Sequence, residues 1–224
     1  MPLNLKEPIT YLITSGETTL QTIQSSEDFS RLLKLVEAAT AAKVNLIQLR
    51  EKNLHVRVLY ELTVKAAAIT RGSQTLLLVN DRADVATAAG ADGVHLTTLS
   101  LETPVVRRAF GPKLLIGVST HSLAEAEAAC QAEADFVVFG PVFETASKRA
   151  YGEPLGLEPL GQVASAVAPF PVLALGGVTL DNTADCFRAG AVGIAAIRLF
   201  NNADNLADVV TAIREMFREP KSGR

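Results

Sequence analysis

Apolar and polar positions along the chain follow two alternating periods. Short runs rich in Val, Ile and Leu recur at 9–14, 45–50, 75–80, 93–96, 114–119, 136–141, 171–177 and 192–198, and predict strands. Helical spacing fills the gaps. Phe29, Leu32, Leu33 and Val36 fall at i, i+3, i+4 and i+7 and predict one apolar helix face. Ser122 with Glu125 reads as a capping box, Thr179 as the cap of a later helix, and Gly90 and Gly190 as helix terminators.

Eight strand–helix units in 224 residues predict an α/β protein, a single-domain (β/α)8 TIM barrel over 1–218, followed by a frayed tail at 219–224. An open doubly wound sheet is the alternative. Its glycine fingerprint after the first strand is missing, because Ser15-Gly16-Glu17 stands there. Composition agrees with a globular enzyme, at 48% hydrophobic and 20% charged residues with no Trp. A net charge of −3 gives no general attraction to nucleic acid. No apolar run approaches the ~20 residues of a membrane span, so no membrane association is expected. Residues 1–8 lack the apolar stretch of a signal peptide, and Cys130 and Cys186 read as buried thiols of a reducing cytoplasm. No Cys/His spacing suggests zinc.

Chemistry in such a barrel sits at the C-terminal ends of the strands. Period-two geometry puts Gln48, Arg50 and Lys52 on one face of the second strand, and the third ends in Asn80-Asp81-Arg82. Buried charges need partners, so these residues form either an internal ion-pair network or a polyanion site in which Arg50 and Lys52 grip phosphate oxygens. After the sixth strand come Thr145, Ser147 and Lys148, a donor-rich loop. Gly176-Gly177 and the run Gly193–Arg198 occupy the last two loops, where barrels commonly hold a phosphate on glycine amides. His55 reads as surface and His95 ends the fourth strand. His121 faces the mouth, where it could transfer a proton.

Six stretches in order, one per unit, carry a family resemblance. They are Ile47-Gln48-Leu49-Arg50-Glu51-Lys52, Asn80-Asp81-Arg82, Gly90-Ala91-Asp92-Gly93-Val94-His95, Gly117-Val118-Ser119-Thr120-His121, the run from Gly140 to Lys148, and Ala174-Leu175-Gly176-Gly177. Together they resemble thiamin phosphate synthase and its close relative, the thiazole tautomerase. The resemblance implies a transferase that joins hydroxymethylpyrimidine pyrophosphate to thiazole phosphate, giving thiamin phosphate and pyrophosphate. It implies a dissociative mechanism, in which pyrophosphate leaves before the thiazole nitrogen attacks the pyrimidine methylene. By the same resemblance Arg50, Lys52, Asn80 and Lys148 hold the pyrophosphate and Asp81 ligates Mg2+. Gln48, Ser119, Thr145 and Ser147 line the site, and Gly177 with the amides near Ala196 and Ile197 takes the thiazole phosphate. Lys148, Ser119 and His121 are the candidate catalytic groups.

Two positions depart from the family pattern. Ser100 stands where the synthase carries a second Asp ligand to Mg2+, leaving Glu102 as the nearby carboxylate. Arg198 stands where a small residue is common, either adding a phosphate contact or crowding the loop. The tautomerase, which shuttles a proton with a histidine at the position of His121, needs neither metal nor pyrophosphate grip. Retention of Lys52, Asp81 and Lys148 favours the synthase and Ser100 favours the tautomerase. A non-catalytic regulator binding thiamin-related phosphates is the third reading, and a homo-oligomer is left open.

Overall fold

The computed structural model describes residues 3, 5–145 and 153–218. Strands and helices alternate as β1 (Ile9–Ile13), α1 (Glu27–Ala41), β2 (Leu46–Leu49), α2 (Val56–Thr70), β3 (Leu76–Asn80), α3 (Ala83–Ala89), β4 (Gly93–Leu96) and α4 (Thr103–Phe110). They continue as β5 (Leu115–Thr120), α5 (Leu123–Gln131), β6 (Phe136–Phe139), α6 (Leu157–Ala166), β7 (Val172–Leu175), α7 (Leu180–Arg188), β8 (Gly193–Ala196) and α8 (Leu206–Arg218). The strands pair in sequence order and close, β8 returning to β1 with Ile9 opposite Gly193. All these pairings are parallel, so every strand ends at one rim. The fold is the expected (β/α)8 barrel; the expected tail, 219–224, lies outside the described residues.

Strand alternation divides the core in two. Leu12, Ile47, Leu49, Leu77, Val79, Val137, Phe139 and Ile194 face outward and pack with the helices. Ile9, Tyr11, Ile13, Leu46, Leu78, Leu115, Phe136, Val138, Leu173 and Ala195 fill the barrel. Gly117 makes room there for the Phe136 ring opposite it, since a Cβ would lie 2.3 Å from the ring. Phe136 in turn meets Tyr11 edge-on at 5.6 Å.

Local expectations were met unevenly. On α1, Phe29, Leu32 and Val36 are buried as expected, but Leu35 joins them and Leu33 is only half-buried. The Ser122 hydroxyl caps α5 by accepting the Glu125 N–H, yet the box does not close. The Glu125 carboxylate accepts the N–H of His121, not that of Ser122. Gly90 ends α3 in the left-handed conformation. Of the two thiols, both free, Cys186 is buried and Cys130 is only half-buried.

Candidate active site

A line of polar side chains crosses the barrel below its mouth. Gln48 is 1% exposed and donates from Nε2 to the Tyr11 hydroxyl at 2.8 Å. Tyr11 Oη lies 3.2 Å from His95 Nδ1, and His95 Nε2 lies 2.9 Å from Ser119 Oγ. The tautomer follows from counting donors. Tyr11 accepts from Gln48, so its own proton goes to Nδ1; Nε2 then carries the ring proton and donates to Ser119. The Ser119 hydroxyl hydrogen is left for the mouth. Burial pushes the Tyr11 phenol above its ordinary range and lowers His95 from 6.5 to about 3, so both are neutral. His95 is thus a pocket-floor residue that orients Ser119, a part not assigned to it from sequence.

Arg50 and Glu51 follow β2 directly. Glu51 is 3% exposed and its carboxylate gathers the loop after β1. It accepts the hydroxyls of Thr14 at 2.5 Å and Thr18 at 2.6 Å, with longer bonds from the Gly16 and Thr18 amides. The Arg50 N–H donates to Thr14 Oγ1 at 2.8 Å, and a Cβ on Gly16 would lie 3.2 Å from Arg50 Nη1. Glu51 therefore fixes the wall against which the guanidinium lies. Glu51→Gln replaces an acceptor by a donor facing these groups. It is expected to lower unfolding free energy by about 1–3 kcal/mol, read from the urea midpoint. Lys52 does not continue the strand face as alternation predicted: β2 stops at Leu49, and Lys52 is exposed in a turn.

Asn80 ends β3 beside His95 of β4. Asp81 follows with φ 61°, a left-handed backbone uncommon outside glycine. Its N–H donates to the His95 carbonyl at 2.9 Å, holding it at the rim. Arg82 turns aside into a two-pronged bond with Asp84, which chiefly raises its pKa, Asp81 adding to the effect. Ser100 is engaged within its own loop. Its hydroxyl accepts the Thr97 N–H at 2.8 Å and closes a turn of its own loop. Glu102 is exposed at the start of α4. His121 is half-exposed, with Nδ1 3.2 Å from Glu125 Oε2.

The β6 and β7 loops are joined by backbone bonds, Val142 N–H to Leu175 and Phe143 N–H to Gly176. Gly177, at φ +65°, lies so close that a Cβ would sit 2.5 Å from the Glu144 carbonyl. Only glycine fits there. Ala196 ends β8 and Ile197 follows it, half-buried at the same rim. Thr145 is at the rim as well, 3.1 Å from Arg198. Ser147 and Lys148 lie outside the described residues. The parallel topology thus brings Gln48, Arg50, Asn80, Asp81, Ser119, Thr145, Gly177, Ala196 and Ile197 to one end of the barrel.

Comparisons with known proteins agree with this geometry. The sequence profile of the family described as thiamine monophosphate synthase matches residues 20–200. The thiamine-phosphate synthase of Roseiflexus castenholzii is 39% identical over 196 residues, 88% of this chain and 86% of that protein. That of Anaeromyxobacter dehalogenans is 42% identical over 187 residues, 84% and 82% of the two chains. A solved thiamine phosphate pyrophosphorylase from Pyrococcus furiosus superposes with a TM-score of 0.78 at 30% identity, covering 98% of this chain and 100% of its own. Profile, relatives and fold converge, and the chain belongs to the thiamine monophosphate synthase family.

Proposed function

We propose that the protein joins hydroxymethylpyrimidine pyrophosphate to thiazole phosphate in an Mg2+-dependent transfer, releasing pyrophosphate and thiamin phosphate, in the cytoplasm. The C–O bond to pyrophosphate breaks with the electron pair leaving on oxygen, and the thiazole nitrogen supplies the pair for the new C–N bond. Asp81 carries the reading: a carboxylate held in a strained left-handed backbone at the rim, just past β3 as Arg50 is just past the neighbouring β2. Its fit to Mg2+ rests on donor chemistry. The ion is commonly bound through one or two carboxylates with substrate phosphates and water completing its shell, so Asp81 with the pyrophosphate oxygens suffices. The ion supplies charge to the departing pyrophosphate.

The chain's residues do the rest. Arg50, Lys52, Asn80 and Lys148 grip the pyrophosphate, and Asp81 holds the metal. Gln48, Ser119, Thr145 and Ser147 orient the two rings, the neutral floor of Tyr11 and His95 fixing the first two. Glycine amides at Gly177 and those near Ala196 and Ile197 hold the thiazole phosphate, which sets nucleophile and electrophile in line. The test is to mix both substrates with Mg2+ and follow thiamin phosphate and pyrophosphate; folded protein yielding neither product refutes the proposal.

The His121–Glu125 pair favours a second reading, proton transfer on a thiazole carboxylate phosphate. On that reading His121→Ala removes the isomerisation while leaving ligand binding nearly intact, and a fully active variant refutes it. A thiazole isomerisation abolished by the same change would favour the tautomerase.

A further inference from the structure

Arg198 reaches across two strand ends, and this reach has a consequence. It lies two residues beyond β8, and its Nη2 donates to Thr145 Oγ1, in the loop after β6, at 3.1 Å. The strand order is β6-β7-β8, so a side chain running from the end of β8 to the loop after β6 passes the end of β7. Gly176 and Gly177 are there. The two bonds from Val142 and Phe143 fix the β6 loop against this turn, so Thr145 is held at a set position beside it.

We propose that Arg198 is a specificity-determining residue that grips the phosphate of the thiazole substrate, its guanidinium pre-placed across the glycine turn by Thr145. This rests on the synthase reading for the identity of the substrate. Glycine amides are neutral, and a phosphate dianion bound by them alone keeps its charge uncompensated. Arg198 supplies the cation. Its partner among the described residues is a neutral hydroxyl, and a guanidinium has five donors, so it can keep one on Thr145 and turn two in parallel onto phosphate. Exchange of a neutral acceptor for a charged one strengthens the bond roughly twofold. The side chain is exposed, so it can shift without unpacking the barrel.

The test compares wild type, Arg198→Ala and Arg198→Lys in steady-state assays and in calorimetric titration with thiazole phosphate and with the unphosphorylated thiazole alcohol. The expected result for Arg198→Ala is a rise of about tenfold or more in KM and Kd for thiazole phosphate. KM for the pyrimidine pyrophosphate and Kd for the alcohol should stay within about twofold, with partial recovery in Arg198→Lys. Unchanged Kd for thiazole phosphate overturns the proposal, as does an equal loss for both thiazoles or for both substrates, which marks a structural role. Absence of thiazole phosphate binding by wild type also overturns it. Wild-type binding without turnover instead removes the synthase reading and leaves the Arg198 comparison decided by calorimetry.

Discussion

Asp81→Asn is expected to lower kcat/KM for thiamin phosphate formation by about a thousandfold or more while leaving the urea midpoint nearly unchanged. The expectation separates charge from backbone. Asp81 sits at φ 61°, where Asn is tolerated at least as well as Asp, so the substitution keeps shape and conformation and removes the negative charge. Asp81→Ala would remove the charge too but add the cost of forcing a residue with no local polar compensation into the left-handed region, about 1–2 kcal/mol. Ser100 closes a turn of its own loop, so in the proposed site Asp81 is the carboxylate assigned to Mg2+. The measurement is initial rate against Mg2+ concentration for both proteins. Recovery of more than about a tenth of wild-type rate at saturating Mg2+ would refute the proposed role of Asp81 in holding Mg2+.

The second large effect concerns acid stability. In the unfolded chain a histidine takes up its proton near 6.5, whereas His95 in the barrel does so only at about 3. Between these values the unfolded state binds more protons, so stability is fully present above pH 6.5 and is lost as pH falls towards 3. Each pH unit in that window costs about 1.4 kcal/mol, or about 3 kcal/mol by pH 4.5. Urea unfolding of wild type and His95→Gln at pH 7.5 and 4.5 isolates the contribution. The variant is expected to be less stable at the higher pH, because its amide must replace bonds to Tyr11 and Ser119, but to lose about 3 kcal/mol less on acidification. Equal losses in the two proteins would show that His95 is not the group responsible.

Much of this was legible along the chain, and what was not has physical causes. The eight strands were read to within a few residues because the inward and outward phases pack against different layers and so both demand apolar side chains. The face of Lys52 could not be read from alternation, which carries no information past the end of the ladder at Leu49. Glu51 was passed over beside two cations, although a signal existed. A carboxylate next to a buried strand end needs donors around it, and here Thr14 and Thr18 supply them. Tyr11 gave no such sign, since its ring suits a core. Its hydroxyl meets a residue 84 positions away, a contact created only by closing the barrel. The Arg198–Thr145 bond likewise joins residues 53 positions apart, brought near by the β6-β7-β8 pairing, although Arg198 itself stood out.

The seam between the first and last strands has a further cost in time. Ile9 pairs with Gly193, so a nascent chain that has already made β1 keeps that strand's edge open until β8 has been synthesised. At ~5–20 residues per second, the intervening stretch occupies the ribosome for roughly 10–40 s. Throughout it the early strands offer bare amides and carbonyls to any neighbouring polypeptide. Yield in the cell should therefore depend on shielding during translation more than on the durability of the finished barrel.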